Sequence, residues 1–344
     1  MLEHILKEAV RQNASDVHIK AGGVPVFRIN GVLSRQNLPA VSENAITSFV
    51  EQYGTCAVNE TEADFCCRIN CAGSFRVHGY LQNGSPALAV RIIKSAVPAL
   101  SDLNAPPVLE KLAMQRSGLI LVTGPAGSGK STTLAAMVDF INRNKSAHIV
   151  TLEDPPEYRF TEDKSIISQR QVGSDTGSFA LGLRAALRQD PDVIMIGELR
   201  DAQTASGAVS AAETGHLVLA TLHTHSAVLA VSRMLDFFAP EKQQQMRAQL
   251  AENLQAVIAQ QLVPGCHGGR TAAFEVLAFT QAVRSLLRDG KAHQLASYMQ
   301  SGRQQEMQCM DYALAYLAKT GAITKQTAQE YAFDIDLLNK YLLQ

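Results

Sequence analysis

Residues 118 to 137, GLILVTGPAGSGKSTTLAAM, constrain this chain more than any other stretch. The apolar start reads as a buried strand and the end reads as a helix. Between them GPAGSGKS fits the spacing G-x-x-x-x-G-K-[ST] at Gly124, Gly129, Lys130 and Ser131. Four fixed positions match by chance on the order of once in a hundred chains of this length at average residue usage. Glycines let the backbone curl until its N–H groups converge on phosphates. The helix N-terminus adds its positive end. Lys130 would reach the β- and γ-phosphates, and the Ser131 hydroxyl would meet Mg²⁺. Pro125, Ala126, Gly127 and Ser128 complete the loop and Thr132 follows it, so Gly124 to Thr132 is the expected binding segment for ATP with Mg²⁺. A plain glycine turn before a helix would leave the Lys-Ser pair unexplained.

Such a loop needs an acid near the metal and a group that polarises the attacking water. DVIMIGELRD places Glu198 at the C-terminal end of an apolar strand, and VTLEDPPEY places Glu153, with Asp154, at the end of another. Ligands in open α/β sheets sit at that edge. Two carboxylates there can divide the work, one facing the metal through water and one activating the nucleophile. A single acid at a strand end would as readily be a solvated charge. Which of the two is the general base stays open, and Glu198 joins Ser131 as the candidate metal side.

The chain has 344 residues, room for two domains, with 46% hydrophobic and 18% charged residues. Its 31 basic and 32 acidic residues leave a formal charge of −1, with no basic cluster, so nucleic acid is not the expected partner. Six cysteines, Cys56, Cys66, Cys67, Cys71, Cys266 and Cys309, form no CxxC pair, which argues against the usual four-cysteine zinc site. Cys66, Cys67 and Cys71 could meet a metal, but small side chains in a reducing compartment are the simpler reading. His267 beside Cys266 has no second pair at ligand spacing. MLEHILKEAVRQ carries acids and no long apolar core, so it reads as an amphipathic helix rather than a signal peptide. A cytoplasmic chain is expected, with any membrane contact made through partners.

Residues 1–97 read as a small α+β domain. The helical start precedes alternating runs, and Asn83-Gly84 between two such runs is a hairpin signal. Prolines at 98, 106 and 107 mark a linker or hinge over 98–107. Over 108–344, the runs GLILV, HIVTLED, DVIMIGE and HLVLATLH lack polar alternation, which suits parallel strands covered on both faces. From about 240 the chain reads as mostly helical, with one strand at RTAAFEVLAF.

GPAGSGKSTTLA, TLEDPPEY, LRAALRQDPDVIMIGELRDAQTA and TGHLVLATLHTHSA, in this order and spacing, resemble the hexameric secretion ATPases that power type II secretion and type IV pili. Within that group the chain is most similar to the PilT-type pilus retraction ATPases. SDVHIKAGGVPVFRINGVL and SFRVHGYLQNGSPALAVR resemble the family's small domain, and AVRSLLRD is similar to the retraction branch's AIRNLIRE segment. The resemblance implies a RecA-like P-loop ATPase domain, a small PAS-like N-terminal α+β domain and a helical C-terminal region. It implies a homohexamer working on an inner-membrane pilus platform protein, with other retraction or assembly ATPases as further partners. It puts Glu153 in an acidic box and Glu198 in the Walker B segment. His216 and His223 would couple the γ-phosphate to domain movement, though without the resemblance they read as ordinary histidines around a buried strand. Arg76 and Arg91 would approach the nucleotide from the small domain, and Arg184 and Arg188 fall in the family's LRxxLRxDPD stretch. Departures are Ala126 for a common Thr, DPPEY for a DPIEF-like run, His225 for Asn, and the closing Asp289.

Assembly and secretion ATPases of the group usually carry a long extra N-terminal region and a four-cysteine insertion. This chain opens on the small domain and has no CxxC, so retraction is expected over assembly. An accessory retraction subunit is the alternative inside the family. A DNA translocase would need a basic channel, and a non-hydrolysing scaffold would not need the acids. The segment 282–300 reads equally as a helix packed on its own domain or as one that transmits motion.

Overall fold

The structure is a computed structural model and describes residues 1–29, 31–54, 62–70, 72–93, 96–266 and 268–343. Cys56, Cys71 and His267 lie outside the described residues, and of Arg303 only the backbone is described. The chain divides into two units, Met1–Ala96 with Pro155–Arg159, and Val97–Asp154 with Phe160–Gln344.

The first unit runs α1 (Leu2–Arg11), β1 (Asp16–Lys20), β2 (Val26–Ile29), β3 (Val32–Arg35), α2 (Glu43–Tyr53), β4 (Glu62–Ile69), β5 (Gly73–Gln82) and β6 (Ser85–Ile93). The strands pair antiparallel in the order β3-β2-β1-β6-β5-β4. Alternation decides its two faces. Val17, Ile19, Phe75, Val77, Leu88 and Val90 join Leu2, Ile5 and Leu6 of α1 and Ile46 and Phe49 of α2 in one core. The alternate positions Asp16, His18, Asp64, Arg76, His78 and Arg91 line a polar hollow of about 330 Å³. Asn83 and Gly84 have φ of 50° and 78°, the pair of left-handed residues a tight hairpin turn demands.

The second unit is built on β7 (Gly118–Thr123), β8 (His148–Glu153), β9 (Ile166–Gln171), β10 (Val193–Ile196), β11 (Leu217–Leu222), β12 (Leu254–Pro264) and β13 (Arg270–Ala278). Their order is β13-β12-β7-β11-β10-β8-β9, parallel except for the antiparallel β12–β13 pair. All six residues of β7 and of β11 are buried, as a strand covered on both faces requires. Leu119 and Leu121 point into one core and Ile120 and Val122 into the other. The helices are α3 (Val108–Ala113), α4 (Lys130–Asn144), α5 (Phe179–Ala186), α6 (Ala202–Glu213), α7 (Ala227–Asp236), α8 (Pro240–Asn253), α9 (Gln281–Arg288), α10 (Leu295–Ser301), α11 (Met310–Lys319), α12 (Lys325–Tyr331) and α13 (Ile335–Leu343). Side chains of α3 and α4 fill the core that holds Ile120, and those of α5–α9 and the C-terminal helices fill the one that holds Leu119. No helix among the described residues is long and apolar enough to cross a membrane.

Two strands of this sheet are not expected from periodicity. β9, IISQRQ, is polar and half-buried at the sheet edge. β12, LQAVIAQQLVP, carries three glutamines in a stretch that reads as helix, and parallel pairing with β7 overrides that local preference. The region after residue 240 therefore holds two strands among its helices, not one.

AVRSLLRD forms α9, with Val283 and Leu287 in the core. Arg284 Nη1 donates to the carbonyls of Ala251 and Glu252, each at 2.6 Å. These are end carbonyls of α8 that lack helical partners, and β12 starts at the next turn of chain. Arg284→Ala removes their donor. An expected loss of about 1–3 kcal/mol is read as a lowered denaturant midpoint, and an unchanged midpoint would show that water replaces the guanidinium.

Candidate active site

The loop that follows β7 is shaped by β12. In their parallel register Val122 faces Ile258 and Thr123 faces Ala259, so Gln260 comes beside Gly124. Gly124 has φ 154°, and a Cβ there would lie 2.4 Å from the Gln260 carbonyl oxygen and 2.5 Å from Ser128 Oγ. Gly129 has φ 91°, and its Cβ would meet Gln260 Nε2 at 2.9 Å. Only glycine fits either place. Gln260 is buried and its Oε1 accepts from Thr133 Oγ1 at 2.7 Å, which ties the first turn of α4 to the same strand. Pro125 is half-buried, and Ala126 and Gly127 are exposed at the loop tip.

Lys130 is only 7% exposed, and its ammonium folds back to donate to the carbonyls of Gly124 and Pro125, both at 2.9 Å. α4 starts from Gly129, which has no side chain to cap it. α5, α6, α7, α9 and α12 each have a Ser, Thr or Asp cap. Ser128 Oγ is buried without a hydrogen-bond partner. A curled glycine loop, an ammonium over it, an uncapped helix start and an orphaned hydroxyl are the donor set of a polyphosphate cradle. The residues present therefore fit a nucleoside triphosphate, and Ser131 beside Lys130 fits its accompanying Mg²⁺.

Parallel strands end at one edge, so β8, β10 and β11 deliver Glu153, Glu198 and His223 to the edge where β7 ends. Glu153 is 8% exposed, and its Oε1 accepts from Thr151 Oγ1 at 2.7 Å and Gln169 Nε2 at 3.0 Å. Glu198 Oε2 accepts from Arg200 Nε at 2.7 Å, and Arg200 Nη1 reaches Asp154 Oδ2 at 3.1 Å. His223 lies between the lysine and this acid, with Nδ1 3.5 Å from Lys130 Nζ and Nε2 3.3 Å from Glu198 Oε1. An ammonium can only donate, so Nδ1 accepts and the ring proton belongs on Nε2, directed at Glu198. Burial first, then the Lys130 ammonium, hold the imidazole below its ordinary 6.5 against the pull of Glu198. Thr123 Oγ1 donates to the Thr224 carbonyl at 2.8 Å and accepts the Thr224 N–H at 2.9 Å, stitching the end of β7 to the His223 loop.

His216, Arg184 and Arg188 lie elsewhere in this unit. His216 stands at the opposite end of β11, roughly 20 Å from His223 at about 3.3 Å per residue. Its Nδ1 is 2.9 Å from the Ala211 carbonyl and 3.1 Å from Thr214 Oγ1, contacts that fasten the α6–β11 turn. Arg184 in the last turn of α5 and Arg188 just after it are exposed on the approach to the start of β10, away from the edge that holds Lys130. Arg76 and Arg91 belong to the first unit, where they are cross-strand partners. Arg91 Nε donates to Asp16 Oδ1 at 2.9 Å. Partial burial pulls the Asp16 carboxyl up, and the bonds from Arg91 and Ser15 outweigh it, leaving it below the ordinary value. Sequence reasoning did not single out Arg200, Gln169 or Gln260. GELRD offered a signal for Arg200, whereas both glutamines sit on the two unforeseen strands.

Because His223 is held neutral, its nitrogen NMR titration should have a midpoint below 6.5, moving upward in Lys130→Met. A midpoint at or above 6.5 in the unaltered protein would sink the assignment.

The sequence matches the family described as Type II/IV secretion system protein over residues 1–331. It is 39% identical over 336 residues to the Type IV pilus retractation ATPase PilT of Pseudomonas aeruginosa, covering 96% of this chain and 98% of that one. It is also 39% identical over 336 residues to the same organism's Type IV pilus ATPase PilU, covering 96% and 88%. The crystal structure of the pilus retraction motor PilT with bound ADP superposes with a TM-score of 0.88 at 41% identity, covering 98% of this chain and 99% of the other. Glycine loop, strand-end acids and full-length similarity agree, and the chain belongs to the type II/IV secretion system protein family.

Proposed function

We propose that this protein is an ATP-hydrolysing motor subunit that drives type IV pilus retraction. The observation that carries the chemistry is the Lys130 ammonium, set over the glycine loop and linked through His223 to Glu198. Similarity at 39–41% identity over nearly the whole length of retraction motors supports the choice of cargo.

Lys130 exchanges its carbonyl contacts for the β- and γ-phosphates, and the N–H groups of the loop and of α4 bind the remaining oxygens. Ser131, and Glu198 through water, would hold Mg²⁺, which would supply neutralisation of phosphate charge. Strand order separates the acids. Glu198 follows β10, two places from β7, whereas Glu153 ends β8, three places away. We assign Glu198 to the metal side and Glu153 to polarising the water beyond the γ-phosphate. His223, neutral and in touch with Lys130 and Glu198, registers whether the γ-phosphate is present. Arg76 and Arg91 remain proposed nucleotide arginines, Arg184 and Arg188, away from the Lys130 edge of their own chain, are proposed to meet the nucleotide of a neighbouring subunit, and residues 98–107 are the proposed hinge. The remaining proposals are a homohexamer, an inner-membrane platform protein as partner, and a cytoplasmic location at the inner face of the inner membrane. An accessory retraction subunit is the second reading, since the identity to PilU equals that to PilT.

Lys130→Ala should cut ATP turnover by more than about a hundredfold, the scale on which positioned phosphate contacts act. Cells carrying it should keep pili and fail to pull them in, while loss of the pili themselves would point to assembly. Glu153→Gln should abolish turnover yet leave nucleotide affinity in place, measured by calorimetry. Glu198→Gln should weaken the Mg²⁺ dependence of binding as well. The reverse pattern would exchange the two roles.

A further inference from the structure

Glu275 is a buried acid that the phosphate chemistry does not use. It lies on β13 and is 2% exposed. Its Oε1 accepts the backbone N–H of Ala227 at 2.7 Å, and its Oε2 accepts that of Met310 at 3.3 Å. Ala227 is the first residue of α7 and Met310 the first of α11. One carboxylate thus joins two helix N-termini.

Glu275 serves as the cap of α11, whose own N-cap Cys309 makes no side-chain bond, but capping α11 does not require the second tie to α7. α7 already has a cap, since Ser226 Oγ accepts the Leu229 N–H. Hydroxyl caps also suffice at α5, α9 and α12 without burying a charge. A buried carboxylate is costly, and here burial, with Asp311 adding to it, pushes Glu275 up to about 7 despite both backbone donors. What its two oxygens do, and a hydroxyl cannot, is hold two helices at once.

The helix starts matter because of what precedes α7. Only Thr224, His225 and Ser226 separate His223 from Ala227. The front of that short loop is pinned to the end of β7 by Thr224 and Thr123. Its back is pinned by Ala227 to Glu275. Immediately before the first anchor the imidazole spans Lys130 at 3.5 Å and Glu198 at 3.3 Å, distances that a small shift of the loop behind it would break.

We infer that Glu275 is a positioning residue for His223, fastening the His223–Ser226 loop to the start of α11 so that the imidazole stays between Lys130 and Glu198. The inference rests on the proposed role of His223 in turnover.

The test compares the full-length protein with Glu275→Gln, His223→Ala and the double variant, by steady-state ATP turnover and histidine NMR. Glutamine keeps the size but turns one acceptor into a donor facing a backbone N–H. Glu275→Gln should lower kcat about tenfold with the KM for ATP within about twofold, because the phosphate loop is untouched. The His223 ring signals should move in this variant, and signals that stay in place would overturn the inference. In the His223→Ala background the same change should cost less than about a further twofold. A merely structural Glu275 would lower activity equally in both backgrounds, and that result overturns the inference, as would an unchanged kcat in Glu275→Gln. Full turnover in His223→Ala would instead remove the proposed role of His223 and this inference with it. If Glu275→Gln gives no soluble protein, Glu275→Asp, one methylene shorter, is judged by the same criteria.

Discussion

How closely β12 approaches the loop after β7 governs the rest of the active-site edge. Parallel pairing brings the Gln260 carbonyl to where a Cβ of residue 124 would stand, and the Gln260 amide to where a Cβ of residue 129 would stand. The loop has to curl in left-handed backbone, and curled backbone turns N–H groups inward. Thr133, bonded to the same glutamine, brings the start of α4 under the loop. One buried amide on a neighbouring strand thus sets the curvature, the helix origin and the place where the Lys130 ammonium folds over.

The charges around this loop form a connected row. Lys130 meets His223, His223 meets Glu198, and Arg200 joins Glu198 to Asp154. The members come from the start of α4, which follows β7, and from the ends of β11, β10 and β8, so parallel strand direction gathers them without sequence proximity. A neutral imidazole between ammonium and carboxylate lets the two opposite charges communicate without direct contact. Removing or adding negative charge beside Lys130 would change what that ring hydrogen-bonds, which is how a phosphate can be felt along the row.

The parts of the fold legible in the sequence are those with strong local signals. The four apolar runs became β7, β8, β10 and β11, because a strand covered on both faces must be apolar throughout. Asn83-Gly84 became a hairpin because both residues tolerate left-handed backbone. β9 and β12 were not legible. Their glutamines are polar by composition, and they become strand residues only because β8 and β7 offer open edges beside them. Two of the three unforeseen contributors to the site, Gln169 and Gln260, therefore sit on strands that only tertiary pairing reveals.

From the sequence alone came the phosphate loop, the strand-end position of Glu153 and Glu198, and the resemblance of the whole chain to secretion and pilus ATPases. These depend on spacing within one turn or one strand, which a linear chain carries in itself. The tertiary structure decided which histidine joins the lysine. His216 and His223 flank the same strand and look equivalent in the sequence, but a strand has two ends, and sheet direction sends only His223 to the edge where β7 stops. It also decided that a glutamine on β12 shapes the glycine loop and that Glu275 joins two helix starts, since both act across pairings whose partners lie far apart along the chain.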